Sequence, residues 1–115
     1  MIDSDGIIRA LAHPFRREVL QWLADPASSF SEAGRSPIRG VSAGMIHAKS
    51  GLSQSTVSCH LSHLERASLV KAQKVGQWVF FSRNDTVIRE FVDWLYVDIA
   101  RIDAHERPLP IDEDS

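Results

Sequence analysis

Two serines constrain this chain more than any other feature, because each stands where a helix has to begin. Val41-Ser42 runs toward Ile46, and Leu52-Ser53 runs toward Val57 with the same spacing. A serine oxygen in that place accepts from a free backbone N–H of the first turn, and the flanking apolar pair staples the entering chain to the helix. Both serines therefore start helices. Gly51 stands where the first of these needs a left-handed residue to stop, so two short helices meet across about three residues.

The second helix has two unlike sides. At about 100° per residue, Val57, Leu61 and Leu64 form one stripe, while Ser55, Cys59, Ser62 and Arg66 group opposite, flanked by Ser58 and His63. Small polar side chains let a helix backbone approach base edges, whereas a merely solvated face usually carries long Lys and Glu. The bland alternative is an amphipathic core helix with a serine-rich surface. The chain beyond this helix argues against it. Leu69-Val70-Lys71-Ala72-Gln73-Lys74-Val75 and Gln77-Trp78-Val79-Phe80-Phe81-Ser82 are rich in β-branched and aromatic residues and are parted by Gly76, which reads as a hairpin. Helix, helix, hairpin is the layout of a winged helix-turn-helix, whose second helix enters a DNA major groove while the first braces it across the backbone. Lys71 and Lys74 then fall near the wing, where phosphates would pass.

Leu11-Ala12-His13-Pro14-Phe15-Arg16-Arg17-Glu18-Val19-Leu20, then Gly51-Leu52-Ser53-Gln54-Ser55-Thr56-Val57-Ser58, then Leu69-Val70 and Gly76-Gln77-Trp78-Val79-Phe80-Phe81, resemble the bacterial ArsR/SmtB family of repressors. The resemblance covers residues 5 to 100, and three motifs in one order make it more specific than any single one. It implies a fold that is mainly α with a small β-hairpin wing, a homodimer, and a repressor that leaves its operator when an inducer, often a metal ion, binds.

A length of 115 residues suits one domain, with 43% hydrophobic residues to fill it. The expected organisation is a winged-helix and dimerisation domain over 1–104 and a Pro-rich, then acidic, mobile tail over 105–115. No apolar run reaches the about 18 residues a membrane span needs. Asp3 and Asp5 sit where a signal peptide would be basic, and a single cysteine fits a reducing compartment. The expectation is a cytoplasmic protein without a membrane partner.

Net charge of −2 misleads until it is divided. Residues 1–46 balance at zero, and residues 84–115 carry −6. Residues 47–83 hold Lys49, Arg66, Lys71, Lys74 and Arg83 against Glu65 alone, or +4, with His47, His60 and His63 expected to add charge at lower pH. The basic excess coincides with the proposed reading head.

Residues 4–11 and 14–24 read as two helices, Pro14 suiting the first position of the second, where its missing N–H costs nothing. Phe15, Val19, Leu20, Trp22 and Leu23 form its core side, and Asp25-Pro26 stops it. From 26 to 40 turn formers dominate, longer than the family connector. This stretch reads as a loop, either part of an effector site or an insertion without a role. Asn84 or Asp85 caps a last helix from about 86 to 104, in which Val87, Phe91, Trp94, Leu95, Asp98 and Ile102 keep helical spacing. Its wide apolar side, with Ile7, Ile8 and Leu11 of the first helix, predicts a two-fold interface holding two reading helices about 34 Å apart.

Sensing is less legible. The cysteine pair that soft-metal sensors of the family carry near the first helix-turn-helix helix is replaced here by Val41-Ser42-Ala43-Gly44. Asp103-Ala104-His105 matches half of another metal motif, but the chain ends before the second half. A site of Asp103, His105 and Glu106 across a dimer competes with a solvated helix end, and no cofactor is called for. Cys59 stands where many relatives have a histidine facing DNA. A thiol there is a candidate redox sensor whose oxidation would block the groove, against the plain reading of a small apolar residue.

The function these residues point to is sequence-specific regulation of transcription, with Gln54, Ser55, Thr56, Ser58 and Cys59 at base edges or adjacent phosphates and His47, Lys49, Lys71 and Lys74 on the backbone. The partner is a double-stranded, palindromic operator. The alternative is a winged-helix protein–protein module without DNA affinity. Catalysis is not indicated: there is no phosphate-cradling glycine loop, complete metal motif or nucleophile arrangement.

Overall fold

The computed structural model describes residues 2–32, 35–36 and 39–101. Helices α1 (Ser4–Leu11) and α2 (Pro14–Ala24) occupy the spans the sequence predicts. Asp3 opens α1 by accepting from the Gly6 N–H at 3.1 Å. His13 does the same for α2, its Nδ1 accepting from the Phe15 N–H at 3.2 Å, with Pro14 at the first position.

The 26–40 stretch is not the plain loop its composition suggests. A single turn, α3 (Pro26–Ser29), is followed by short strands β1 (Arg35–Ser36) and β2 (Gly40–Ser42). Strands of two and three residues have no periodicity to betray them: β1 folds back onto β2, and β2 is extended because it pairs with Phe80 and Phe81. Gly40 makes that pairing feasible: its φ is +102°, and a Cβ there would lie 2.1 Å from the Phe81 carbonyl oxygen. The antiparallel sheet has the order β1-β2-β4-β3, with β3 (Val70–Val75) and β4 (Trp78–Arg83) forming the expected hairpin about Gly76. Val41 opposes Phe81, and Val75 opposes Trp78.

Helices α4 (Ala43–Ser50) and α5 (Gln54–Arg66) lie between β2 and β3 in sequence, and α6 (Asp85–Trp94) follows β4. The Asn84 N–H donates to the Leu69 carbonyl at 2.9 Å, which ties the start of α6 to the base of the hairpin. The last helix is not regular to 104 as expected. It widens to a π-type turn over Leu95–Ile99, in which the Ala100 N–H reaches the Leu95 carbonyl at 2.8 Å. Ile102, Asp103, His105, Glu106 and the 105–115 tail lie outside the described residues.

One core joins these elements. Ile7 of α1, Val19 and Leu23 of α2, Val41 of β2, Ile46 of α4, Val57, Leu61 and Leu64 of α5, Phe81 of β4 and Phe91 of α6 are all buried. Full burial of one such side chain stabilises the fold by about 1.5–3 kcal/mol. This corrects part of the expected interface. Ile7, at 0% exposure, and Phe91 are covered by their own chain, because α1 packs against α6 and consumes the inward side of both. Ile8 and Leu95 stay exposed, Leu11 and Trp94 are half-buried, and the open apolar surface also includes Val92, Val97 and Ile99.

Candidate nucleic-acid interface

The joint between α4 and α5 is built from hydroxyl groups. Ser42 Oγ accepts from the Met45 N–H at 3.3 Å. Ser53 Oγ accepts from the Thr56 N–H at 3.2 Å and donates to Thr56 Oγ1 at 2.8 Å. Between them Gly51 takes φ +71°, while Ser50 Oγ donates to the His47 carbonyl at 2.7 Å and accepts from the Leu52 N–H at 3.0 Å. Each bond spans no more than three residues, so the sequence dictates this turn locally. Val57 is buried but Leu52 is exposed, so the expected staple withdraws little apolar surface at its outer end.

Anchored this way, α5 turns one side in and the other out. Val57, His60, Leu61 and Leu64 are buried, whereas Gln54, Ser55, Thr56, Ser58, Cys59, Ser62 and Arg66 are exposed. Cys59 is a free thiol on the outward side. His47 is half-buried. Lys71 and Lys74 are exposed on β3, but alternate residues of a strand face opposite ways, so Lys71 shares the Gln73, Phe80 and Trp78 face and Lys74 the Val79 face. Lys49 differs from its expected place on a phosphate: its ammonium lies over the Trp22 and Phe30 rings, 5.2 and 5.8 Å from their centroids.

Sequence reasoning missed His60, although its spacing from Val57 and Leu64 puts it on the inner stripe. The Arg16 Nε–H of α2 donates to His60 Nδ1 at 3.0 Å, so the ring's remaining proton sits on Nε2. The His13 and Phe15 rings flank it at 4.2 and 5.2 Å between centroids. Burial, then His13, Arg16 and His63, hold the His60 imidazole below its ordinary 6.5. Arg16 first, then desolvation and Arg66, lower His63 in the same direction. Two of the three histidines expected to add positive charge on mild acidification therefore resist doing so.

A second concavity lies away from α5. A cleft of about 610 Å³ is lined by Leu23, Pro26, Ala27, Glu32, Arg35, Gly40, Arg83 and Asp85. Of these, Arg83 Nε pairs with Asp85 Oδ1 at 2.7 Å. The 26–40 stretch thus supplies much of its lining. Among the described residues no group of three or more His, Cys, Asp or Glu side chains converges on a metal position, and no helix is long and apolar enough to cross a membrane.

Known proteins place this geometry in a lineage. No protein-family model matches the chain. The chain is 33% identical over 95 residues to YbzH, an HTH-type transcriptional regulator of Bacillus subtilis itself uncharacterised, covering 81% of this chain and 95% of that one. It is 25% identical over 91 residues to the transcriptional repressor SdpR of Bacillus subtilis, covering 79% and 87% of the two. An ArsR-like transcriptional regulator from Rhodococcus sp. RHA1 shares the fold with a TM-score of 0.65 at 21% identity, over 85% of this chain and 80% of that one. A capped helix pair, an outward polar helix face, a hairpin with lysines on it and these relatives together identify the chain as a member of the ArsR/SmtB family of winged helix-turn-helix, DNA-binding transcriptional regulators.

Proposed function

We propose that this regulator is a homodimeric repressor that reads a palindromic operator through α5 and leaves it when an inducer binds. The observation that carries the reading is the polarity of α5: a hydroxyl-rich side stands free of the chain while Val57, Leu61 and Leu64 hold the opposite side in the core. Gln54, Ser55, Ser58 and Cys59 meet base edges. Thr56, whose hydroxyl already accepts from Ser53, meets a phosphate, as do His47, Lys71 and Lys74. Lys49 joins them only by leaving the Trp22 and Phe30 rings. The exposed apolar strip of Ile8, Val92, Leu95, Val97 and Ile99 supplies the surface for a second copy. Repression is the simpler sign, since an occupied duplex excludes other proteins without a further contact surface, and the related SdpR is a repressor.

The test is salt dependence on a duplex selected from a random pool. Affinity should fall linearly on a log–log plot, and Lys71→Gln and Lys74→Gln should each reduce the slope by about 1. Binding that ignores salt and sequence would favour a protein–protein module instead.

A further inference from the structure

We propose that Trp78 is an apolar wedge which the wing sets into the minor groove flanking the site read by α5, partly unstacking one base step there. The proposal rests on the DNA-binding reading above and names the group that recognises the flank. Trp78 is 62% exposed, and its indole is absent from the core. It follows the Gly76-Gln77 turn directly, at the far end of the hairpin, with Val75 opposite it. Folding does not require an indole there. The side chain is nevertheless propped: it stacks on Phe80, two residues along the same face, with centroids 6.4 Å apart and planes 28° from parallel. A ring braced from behind has less rotamer freedom to lose when it docks.

Charge selects the occupant. The hairpin from 70 to 83 carries Lys71, Lys74 and Arg83 and no acid, and Lys71 and Gln73 share the face of Trp78 and Phe80. An apolar protein surface broad enough to cover Trp78 and Phe80 would also have to desolvate Lys71, which follows Phe80 along that face, whereas a polyanion attracts it. Reach selects the groove. With α5 filling the major groove, a strand that starts just beyond α5 and runs six residues, about 20 Å, extends past the bounding phosphates to the narrow neighbouring groove. Large apolar side chains entering that groove act by wedging between base pairs, and pyrimidine–purine steps yield most readily. The flank should therefore favour TA or CA/TG.

The experiment compares the full-length protein with its Trp78→Ala and Trp78→Phe variants on a duplex selected by wild type, carrying 2-aminopurine at the flanking step. Wild type should brighten the 2-aminopurine as the step unstacks. Trp78→Ala should bind about 5- to 150-fold more weakly, the range a base–aromatic stack spans, and lose both the brightening and the flank preference, while Trp78→Phe retains part of each. Unfolding curves matching wild type would confirm that the alanine variant is folded. Undiminished affinity and flank preference in Trp78→Ala would overturn the wedge and leave DNA recognition through α5 intact. Failure of wild type to select any duplex would overturn both.

Discussion

Replacing Arg16 by methionine keeps roughly the length of the side chain and removes the guanidinium that ties α2 to the inner face of α5. The lost bond is Arg16 Nε–H to His60 Nδ1, 3.0 Å, onto a ring only 9% exposed. A hydrogen bond with a charged donor contributes about 1.5–3 kcal/mol, and partial exposure of the arginine lowers the expected loss to about 1–2 kcal/mol. The variant also changes how stability depends on pH. In the folded wild type His60 and His63 titrate below 6.5, so as pH falls through that value the unfolded chain takes up protons first and stability declines. Arg16 is the largest cause for His63 but follows burial and His13 for His60. Arg16→Met should therefore raise both midpoints, removing the leading cause of the His63 shift but a lesser one of the His60 shift, and make the acid-side decline shallower. Urea unfolding from about pH 8 to 5, with NMR titration of the imidazole protons, reads both effects. Wild-type stability that rises on acidification through this window, or a His63 midpoint unmoved in the variant, would show that Arg16 does not hold these imidazoles neutral.

Ser53→Ala removes the oxygen that accepts the Thr56 N–H and should cost about 1 kcal/mol in unfolding experiments, whereas Ser53→Asp should keep the cap yet weaken duplex binding through its negative charge. An alanine variant as stable as wild type would contradict the cap's role. Ser68 holds φ +62° just beyond α5, so Ser68→Gly should gain about 1 kcal/mol by relieving left-handed strain, and a loss of stability would count against that strain. N-ethylmaleimide on Cys59 should block operator binding while leaving Cys59→Ser indifferent, and peroxide on the same pair tests redox sensing; full binding after complete labelling would put Cys59 off the duplex.

What the sequence disclosed depended on the distance between interacting residues. The Ser42 and Ser53 caps, the Gly51 stop and the turn at Gly76 join groups a few positions apart, and they were legible in place and type. The Arg16–His60 bond joins residues 44 apart, and nothing in the pattern around either one announces the other. The same holds for Lys49 over Trp22 and Phe30, and for β2, which is extended because β4 lies beside it, with β1 folding back onto β2 in turn. Helical spacing did identify the apolar sides of α1 and α6. It could not tell that Ile7 and Phe91 are buried within one chain while Ile8, Val92 and Leu95 stay open, because both sets share the same period. The π-type turn at Leu95–Ile99 had no proline or glycine to mark it.

The reading of α5 as a helix that specifies bases is met most directly by selecting binding sites from random-sequence duplexes with the purified protein. One enriched sequence with two-fold symmetry is expected, its half-sites about one helical turn apart, with loss of that enrichment in a Gln54→Ala, Ser58→Ala double variant that remains folded. A pool that stays random, or an enriched site unchanged by those substitutions, would contradict it.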